Sequence, residues 1–204
     1  MIKKQQFIRN GLSCLGYKSK QDLIENLYLK AIIDSYNRIN KNIGIENDIR
    51  DRFIYDFYFK SPLLMRWIQA NIIFVNWERW VFKNETDLGR ADLSFAISGF
   101  EFIVECKRLE NANQKYIKEG LHRFINNEYS KNESCSAMLG FVISGNIEEI
   151  KIEISKKCEK EKYVNNYFSK QKYSDWEYSF NTTHLRKDNF EINIYHLFFE
   201  FKKD

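Results

Sequence analysis

The sequence has little proline, little glycine and no paired cysteines. One proline and eight glycines in 204 residues leave few of the residues that favour turns, which predicts long helices and strands with few connections. The four cysteines form no CxxC pair and have no nearby histidine partner, which argues against a zinc site or a disulfide framework. No stretch approaches the roughly 20 apolar residues of a membrane-spanning helix. We therefore expect a cytoplasmic protein that does not bind a membrane.

Aromatic and apolar residues are abundant enough to build a large core. The chain contains 17 phenylalanines, 12 tyrosines and 4 tryptophans, and its apolar fraction of 44% argues against disorder. The length indicates one domain, in which residues 1–44 form a helical N-terminal extension and residues 45–204 a core with C-terminal strands. The formal net charge of +4 fits a nucleic-acid partner but is too small to establish one.

Hydrophobic periodicity divides the chain into alternating helical and strand segments. Ser19 opens an S-x-x-D capping pattern before the first helix, and further helices are predicted from Ile45 and after Ser61–Pro62. Three strands follow from Ile72, with the polar segment KNETDLGR between the first two. Next come a helix over Tyr116–Asn127, a buried strand at 137–143, a charged helix and two late strands. This order predicts an α/β fold with a mixed sheet flanked by helices.

The dipeptide Ser98–Gly99 predicts a two-residue hairpin loop between the strands ADLSFAI and FEFIVECK. Counted outward from that turn, Asp92 lies opposite Glu105, and opposed residues point to the same face of a sheet. Lys107 follows Glu105 by two positions, so it shares this face, where it is opposed by Arg90. The hairpin therefore predicts two carboxylates and a lysine side by side.

Opposed carboxylates repel one another unless a cation lies between them. Mg²⁺ binds carboxylate oxygens, so Asp92 and Glu105 are candidate metal ligands, with the Cys106 carbonyl as a third. Such a metal polarises a phosphoryl oxygen, and Lys107 could orient or deprotonate the attacking water or stabilise the developing charge. The alternative is a solvated set of surface charges. The apolar residues that alternate with these charges favour the functional interpretation.

The segment GRADLSFAISGFEFIVECKRL resembles the signature of the PD-(D/E)xK, or restriction-endonuclease-like, superfamily. Asp92 matches its first acid, Glu105 the second and Lys107 the lysine, whereas Ala91 replaces the proline. The order of elements over residues 45–145 is also similar. The resemblance implies a restriction-endonuclease-like core and Mg²⁺-dependent endonucleolytic hydrolysis of DNA, with Mn²⁺ as a substitute metal. It further implies a role in restriction or anti-phage defence, with a partner protein of such a system.

Other residues are candidates for supporting roles. Superfamily members often supply another carboxylate from the helix before the sheet, and Glu46 matches that position; a favourable interaction with the helix dipole is the alternative. Tyr116 and Arg123 recur at helical spacing on one face of the helix predicted over Tyr116–Asn127. With Arg90 they are the predicted nucleic-acid contacts, although a surface salt bridge would also explain an arginine. The histidines of the late strands, His184 and His196, are interpreted as hydrogen-bonded core residues.

Two other functions remain open at this stage. One is a non-catalytic subunit that binds nucleic acid or assists assembly while retaining the nuclease-like fold. The other is a nuclease that acts on RNA, although no RNA-binding signature is recognisable. A homodimer is likewise left open, because the sequence does not determine an oligomeric state.

Overall fold

The computed structural model describes residues 2–82, 88–161 and 176–201. It contains helical segments, two of them π-helical, which are α1 (Ile2–Leu15), α2 (Lys20–Leu23), π1 (Ile24–Leu29), α3 (Lys30–Arg38), α4 (Glu46–Phe59), α5 (Met65–Gln69), π2 (Tyr116–Leu121), α6 (His122–Ile125) and α7 (Ile147–Glu159). Its strands are β1 (Phe74–Phe82), β2 (Leu88–Ile97), β3 (Phe100–Leu109), β4 (Cys135–Val142), β5 (Ser179–Leu185) and β6 (Glu191–Glu200). Within these ranges, no helix combines the length and apolar character needed to cross a bilayer.

The six strands form one mixed sheet in the order β1-β2-β3-β4-β6-β5. The pairs β3–β4 and β4–β6 are parallel, and the remaining neighbours are antiparallel. Parallel neighbours require crossover connections, and the helices π2, α6 and α7 lie in these connections. The predicted α/β class with a mixed sheet flanked by helices is therefore confirmed.

Helices cover both faces of the sheet. One hydrophobic cluster joins the N-terminal helices to one face, through residues such as Tyr28 and Phe57, whose rings pack against the sheet residue Phe95. A second cluster joins π2, α6 and α7 to the other face, through residues such as Phe124 and Ile154. A strand buried on both faces needs apolar residues at consecutive positions. This explains the continuous apolar run in β4, whose residues 136–142 are all buried.

Local signals position several element ends as predicted. The Ser19 hydroxyl accepts a hydrogen bond from the Asp22 backbone N–H at 3.0 Å and caps α2. Gly99 has φ of +79° in the turn between β2 and β3, a conformation that favours glycine. The helix predicted over Tyr116–Asn127 is shorter and ends at Ile125, because Asn127 adopts a left-handed conformation with φ of +60°. Residues 83–87 of the polar segment KNETDLGR lie outside the described residues.

Candidate active site

The hairpin register is as predicted over its first five pairs, and the ladder then changes. The pairs run from Ile97–Phe100 to Leu93–Val104. The next pair, Asp92 with Glu105, is not joined in the ladder of the described strands. Instead, the Asp92 carboxylate oxygen Oδ2 accepts a hydrogen bond from the Cys106 backbone N–H at 2.8 Å. A side-chain oxygen thus replaces a main-chain acceptor at the point where the two strands separate.

A local distortion of β2 accounts for this position of Asp92. Ala91 and Leu93 are two residues apart, so regular alternation would place them on one face of the sheet. They belong to opposite hydrophobic clusters, and the alternation is therefore broken at Asp92. On the neighbouring strand β1, Glu78 has φ of +50°, and the recorded pairs pass from Trp77 to Arg79 without it. Trp77 pairs with Leu93 and Arg79 with Ala91, so the register is the same on both sides and the distortion inserts no extra residue. It directs the Asp92 carboxylate towards the backbone of β3.

Glu105 is a fully buried carboxylate beside Asp92. Its Oε1 accepts hydrogen bonds from Lys107 Nζ and from Arg123 Nη1, each at 2.7 Å. Its Oε2 is also buried and has no hydrogen-bond donor among the described residues. Burial, reinforced by the charge of Asp92, raises the pKa of Glu105 to about 8, although Lys107 and Arg123 oppose the shift. Without a bound cation, Glu105 is therefore mostly protonated at neutral pH, and a cation that binds at its buried Oε2 would displace that proton.

Lys107 lies between two oxygens of its own strand. Its Nζ donates to Glu105 Oε1 at 2.7 Å and to the Cys106 carbonyl at 3.0 Å. Burial acts to lower the pKa of Lys107, but the surrounding carboxylates, chiefly Glu105 and Asp92, raise it above its ordinary value. Lys107 is consequently an ammonium cation at neutral pH. Of the roles predicted for it, stabilising developing charge and orienting the attacking water use this charged form.

Glu46 is the first residue of α4 and lies against the end of β3. Its Oε2 accepts a hydrogen bond from the Arg108 backbone N–H at 2.5 Å. Its charge contributes to the raised pKa of Lys107, and both side chains line one groove. The structure therefore brings Glu46 next to the Asp92–Glu105–Lys107 group. Its role as a metal ligand stays a prediction.

Arg123 is held in the site by a tyrosine that sequence reasoning missed. Arg123 Nη1 donates to Glu105 Oε1 and, at 2.8 Å, to the Tyr129 hydroxyl. That hydroxyl donates in turn to the Arg90 carbonyl at 2.6 Å, and burial raises the pKa of Tyr129, so it remains protonated. The predicted phosphate contact, Arg123, is thus a partner of Glu105. The Arg90 side chain, also a predicted contact, is half-exposed and pairs with Glu78 at 3.4 Å.

Another cation near Asp92 also gave no sequence signal. Arg50, on α4, is buried, and its guanidinium contacts Asp51 at 3.0 Å and Glu78 at 3.2 Å. Burial acts to lower the pKa of Arg50, but Asp51, Glu78 and Asp92 raise it. An arginine on the apolar side of a helix can be paired with any nearby acid, so only the fold reveals that Glu78 and Asp92 are its neighbours.

Tyr116 is a core residue, which corrects its prediction as a nucleic-acid contact. The side chain is fully buried, its ring stacks on Phe198, and its hydroxyl is 3.0 Å from His196 Nδ1. The helical spacing that grouped it with Arg123 assumed an α-helix, whereas this segment is π-helical. Gly120 of the same segment packs so closely on Met138 that any Cβ would overlap that side chain.

The histidines of the late strands are buried and hydrogen-bonded, as their sequence context indicates. The Thr182 hydroxyl is 2.7 Å from His184 Nε2 and 2.8 Å from His196 Nε2. Burial lowers the pKa of His184 to about 4 and lowers that of His196. Both rings are therefore neutral at neutral pH and belong to the packing between β5 and β6.

The oxygen atoms of the site match the ligands that Mg²⁺ prefers. No three side chains of His, Cys, Asp or Glu form a metal-binding group within the part of the chain that the structure describes. The available set is the two carboxylates of Asp92 and Glu105 and the Cys106 carbonyl. Mg²⁺ is usually held by one or two carboxylates, with water completing its octahedral shell. The buried Glu105 Oε2 without a donor fits such an ion.

Comparisons with protein-family models, curated proteins and solved structures find no match to this chain. Its function is therefore inferred from the chemistry of the site. Any function has to explain two adjacent carboxylates, a lysine that is hydrogen-bonded to Glu105 and an arginine held by Tyr129.

Proposed function

We propose that this chain is a metal-dependent nuclease of the PD-(D/E)xK type that hydrolyses phosphodiester bonds of DNA. The observation that carries the proposal is the buried Glu105 carboxylate, whose Oε2 has no donor among the described residues. An ionised carboxylate is costly to bury, and a second carboxylate beside it increases that cost. Strongly perturbed acids in such surroundings are candidates for functional groups. A bound cation would offset both the cost of burying the ionised Glu105 and its repulsion from Asp92.

The arrangement of elements supports a restriction-endonuclease-like core. Helix α4 precedes the antiparallel strands β1, β2 and β3, and β4 follows parallel to β3 after a helical connection. Asp92 lies on β2, whereas Glu105 and Lys107 lie on β3 next to the parallel strand. This is the order that the sequence resemblance implies for residues 45–145.

Each residue of the site has a distinct part in the proposed reaction. Asp92, Glu105 and the Cys106 carbonyl would hold Mg²⁺, with Glu46 as a further candidate. When bound, this ion supplies Lewis-acid polarisation of the phosphoryl oxygen and lowers the pKa of a coordinated water. Lys107, whose ammonium group donates a hydrogen bond to Glu105, would stabilise negative charge that develops on the phosphate and would orient the attacking water.

Arg123 and Tyr129 would keep Glu105 in place. The guanidinium bonds both to Glu105 and to the Tyr129 hydroxyl, which is itself anchored on the Arg90 carbonyl. This chain of hydrogen bonds fixes one oxygen of Glu105 and leaves the other available to a ligand. The Arg123 side chain is 30% exposed, so it can also attract a phosphate group to the site.

A non-catalytic role is favoured by one specific observation. Glu105 Oε1 accepts from two cations, Lys107 and Arg123, so its charge is partly compensated without any metal. Buried ion pairs of this kind can be structural. In that case the chain would be a nucleic-acid-binding or assembly subunit, and divalent ions would not change its behaviour.

The test of the proposal is cleavage by the purified protein. We expect it to convert labelled DNA to shorter products in Mg²⁺ or Mn²⁺ and to leave the DNA intact in EDTA. The metal requirement follows from the repulsion between the two acids, which a divalent cation relieves. The same assay with RNA identifies the substrate class, since faster cleavage of RNA would replace DNA in the proposal. If neither nucleic acid is cleaved in the presence of a divalent metal, the proposal is contradicted and the non-catalytic role remains.

A further inference from the structure

Three large aromatic side chains lie exposed next to one another where α4 meets β1. Tyr55 and Phe59 are four residues apart on α4, are 55% and 63% exposed, and have ring centroids 5.0 Å apart. Trp77 on β1 is 49% exposed and packs edge-on against Tyr58, with centroids 6.2 Å apart. We call Tyr55, Phe59 and Trp77 the aromatic platform. Contiguous exposed apolar surface of this kind marks a binding site more often than isolated residues do.

A continuous series of grooves connects the aromatic platform to the candidate active site. The groove at the platform shares Asp51 and Tyr55 with a second groove. That second groove shares Arg108 with a third groove, which contains Glu46 and Lys107. A chain lying across the platform therefore has a surface path to the side chains proposed for catalysis.

Charges along this path are balanced, so aromatic surface is its distinguishing feature. Lys60 Nζ lies 5.6 Å from the centre of the Tyr55 ring, and Arg52 and Arg108 line the second groove. The acids of the second groove are Asp48 and Asp51. Asp51 is paired with Arg50, and Arg108 is paired with Glu110 in the third groove. The cations can contact phosphate groups, but they do not form the strongly basic surface expected for binding that depends on the duplex backbone alone.

We propose that the aromatic platform binds unpaired bases, so that the proposed nuclease acts on single-stranded DNA. Aromatic side chains bind single strands because every base has a flat face on which they can stack. In a duplex these faces are covered by neighbouring base pairs, so a surface platform has little access to them. The substrate class rests on the proposed function, whereas base stacking at the platform is a separate claim.

The experiment compares binding of fluorescent oligodeoxythymidylate with binding of a duplex of equal length, in Ca²⁺. The wild-type chain should bind the single strand more tightly. Trp77→Ala and Tyr55→Ala should each weaken single-strand binding by about tenfold, since stacking contributes on the order of 1–3 kcal/mol per base. Their effect on duplex binding should be small. Trp77→Phe keeps an aromatic face and should restore most of the affinity.

The matched control is Trp80→Ala. Trp80 lies on the same strand as Trp77 and is 64% exposed, but it lines a different groove with Ile103 and Lys131. Loss of affinity from Trp80→Ala equal to that from Trp77→Ala would overturn the inference, as would no loss from Trp77→Ala. Loss of self-association in Trp77→Ala with unchanged DNA binding would also overturn it and assign the platform to a second copy of the chain.

Cleavage measured separately in Mg²⁺ distinguishes failure of this inference from failure of the proposed function. If the wild-type chain cleaves DNA and Trp77→Ala binds the single strand as tightly as wild type, the proposed role of the platform is wrong and the proposed nuclease activity stands. If single-strand binding depends on the platform but no divalent metal supports cleavage, base stacking is supported and the proposed nuclease activity is wrong. Thermal unfolding of each variant confirms that the compared chains are folded.

Discussion

Glu105→Gln is expected to lower metal-dependent cleavage of DNA on the order of a thousandfold, because metal-ion catalysis supplies several kcal/mol of transition-state stabilisation. Glutamine has nearly the same shape as glutamate, so the packing around this buried side chain is retained. It lacks the charge that attracts the ion, and its amide nitrogen cannot ligate one. The measurement is single-turnover cleavage of labelled DNA at saturating Mg²⁺.

Glu101→Gln is the matched control for this substitution. Glu101 lies four residues earlier on β3 and on the same face as Glu105, but it pairs with Arg79, away from Asp92. We expect its cleavage rate to remain close to that of wild type. Equal losses of cleavage in Glu105→Gln and Glu101→Gln would mean that a carboxylate on β3 affects cleavage only through the fold. Unchanged cleavage in a folded Glu105→Gln variant would remove Glu105 from the catalytic site.

Lys107→Met is expected to lower cleavage by about 10²- to 10³-fold, because it removes one donor that stabilises developing charge, while the variant still binds divalent ions. Methionine keeps much of the apolar stem but lacks the ammonium that contacts Glu105 and the Cys106 carbonyl. Removing a cation next to two carboxylates should leave their affinity for Mg²⁺ equal or increase it. Calorimetric titration with Mg²⁺ and single-turnover cleavage are the two measurements.

Lys115→Met is the control for Lys107, because Lys115 is exposed and lines the same groove. It removes the same charge from the groove without contacting Glu105 in the described structure, so cleavage should change little. If Lys107→Met loses metal binding together with cleavage, Lys107 supports the structure of the site and does not act on the substrate.

The hairpin was the most predictable part of the site, for a geometric reason. The two-residue turn at Ser98–Gly99 fixes which residues face each other, and the pairs from Ile97–Phe100 to Leu93–Val104 follow it. The same count predicted an in-ladder pair of Asp92 with Glu105. The absence of this pair could not be predicted by counting, because counting assumes regular alternation along β2. In the structure that alternation is broken between Ala91 and Leu93, which lie in opposite hydrophobic clusters.

The residues around the hairpin were less predictable because they come from distant segments. Tyr129 reaches the site from the loop after α6, and nothing in its local sequence distinguishes it from other core tyrosines. The expected shared face of Tyr116 and Arg123 assumed 3.6 residues per turn. A π-helical segment bonds residue i to residue i+5, so its faces do not follow that period. Tyr116 is consequently buried, whereas Arg123 reaches Glu105.

The position of a bound Mn²⁺ ion tests the central claim most directly. Crystals soaked in Mn²⁺, at a concentration that supports cleavage, should show an anomalous-scattering peak within coordination distance of the Asp92 and Glu105 carboxylates. The Cys106 carbonyl should complete the protein ligands, and the peak should be absent from crystals of Glu105→Gln. A metal peak only at another site, or none in crystals of protein that remains active with Mn²⁺, would contradict the assignment of these carboxylates to a catalytic metal.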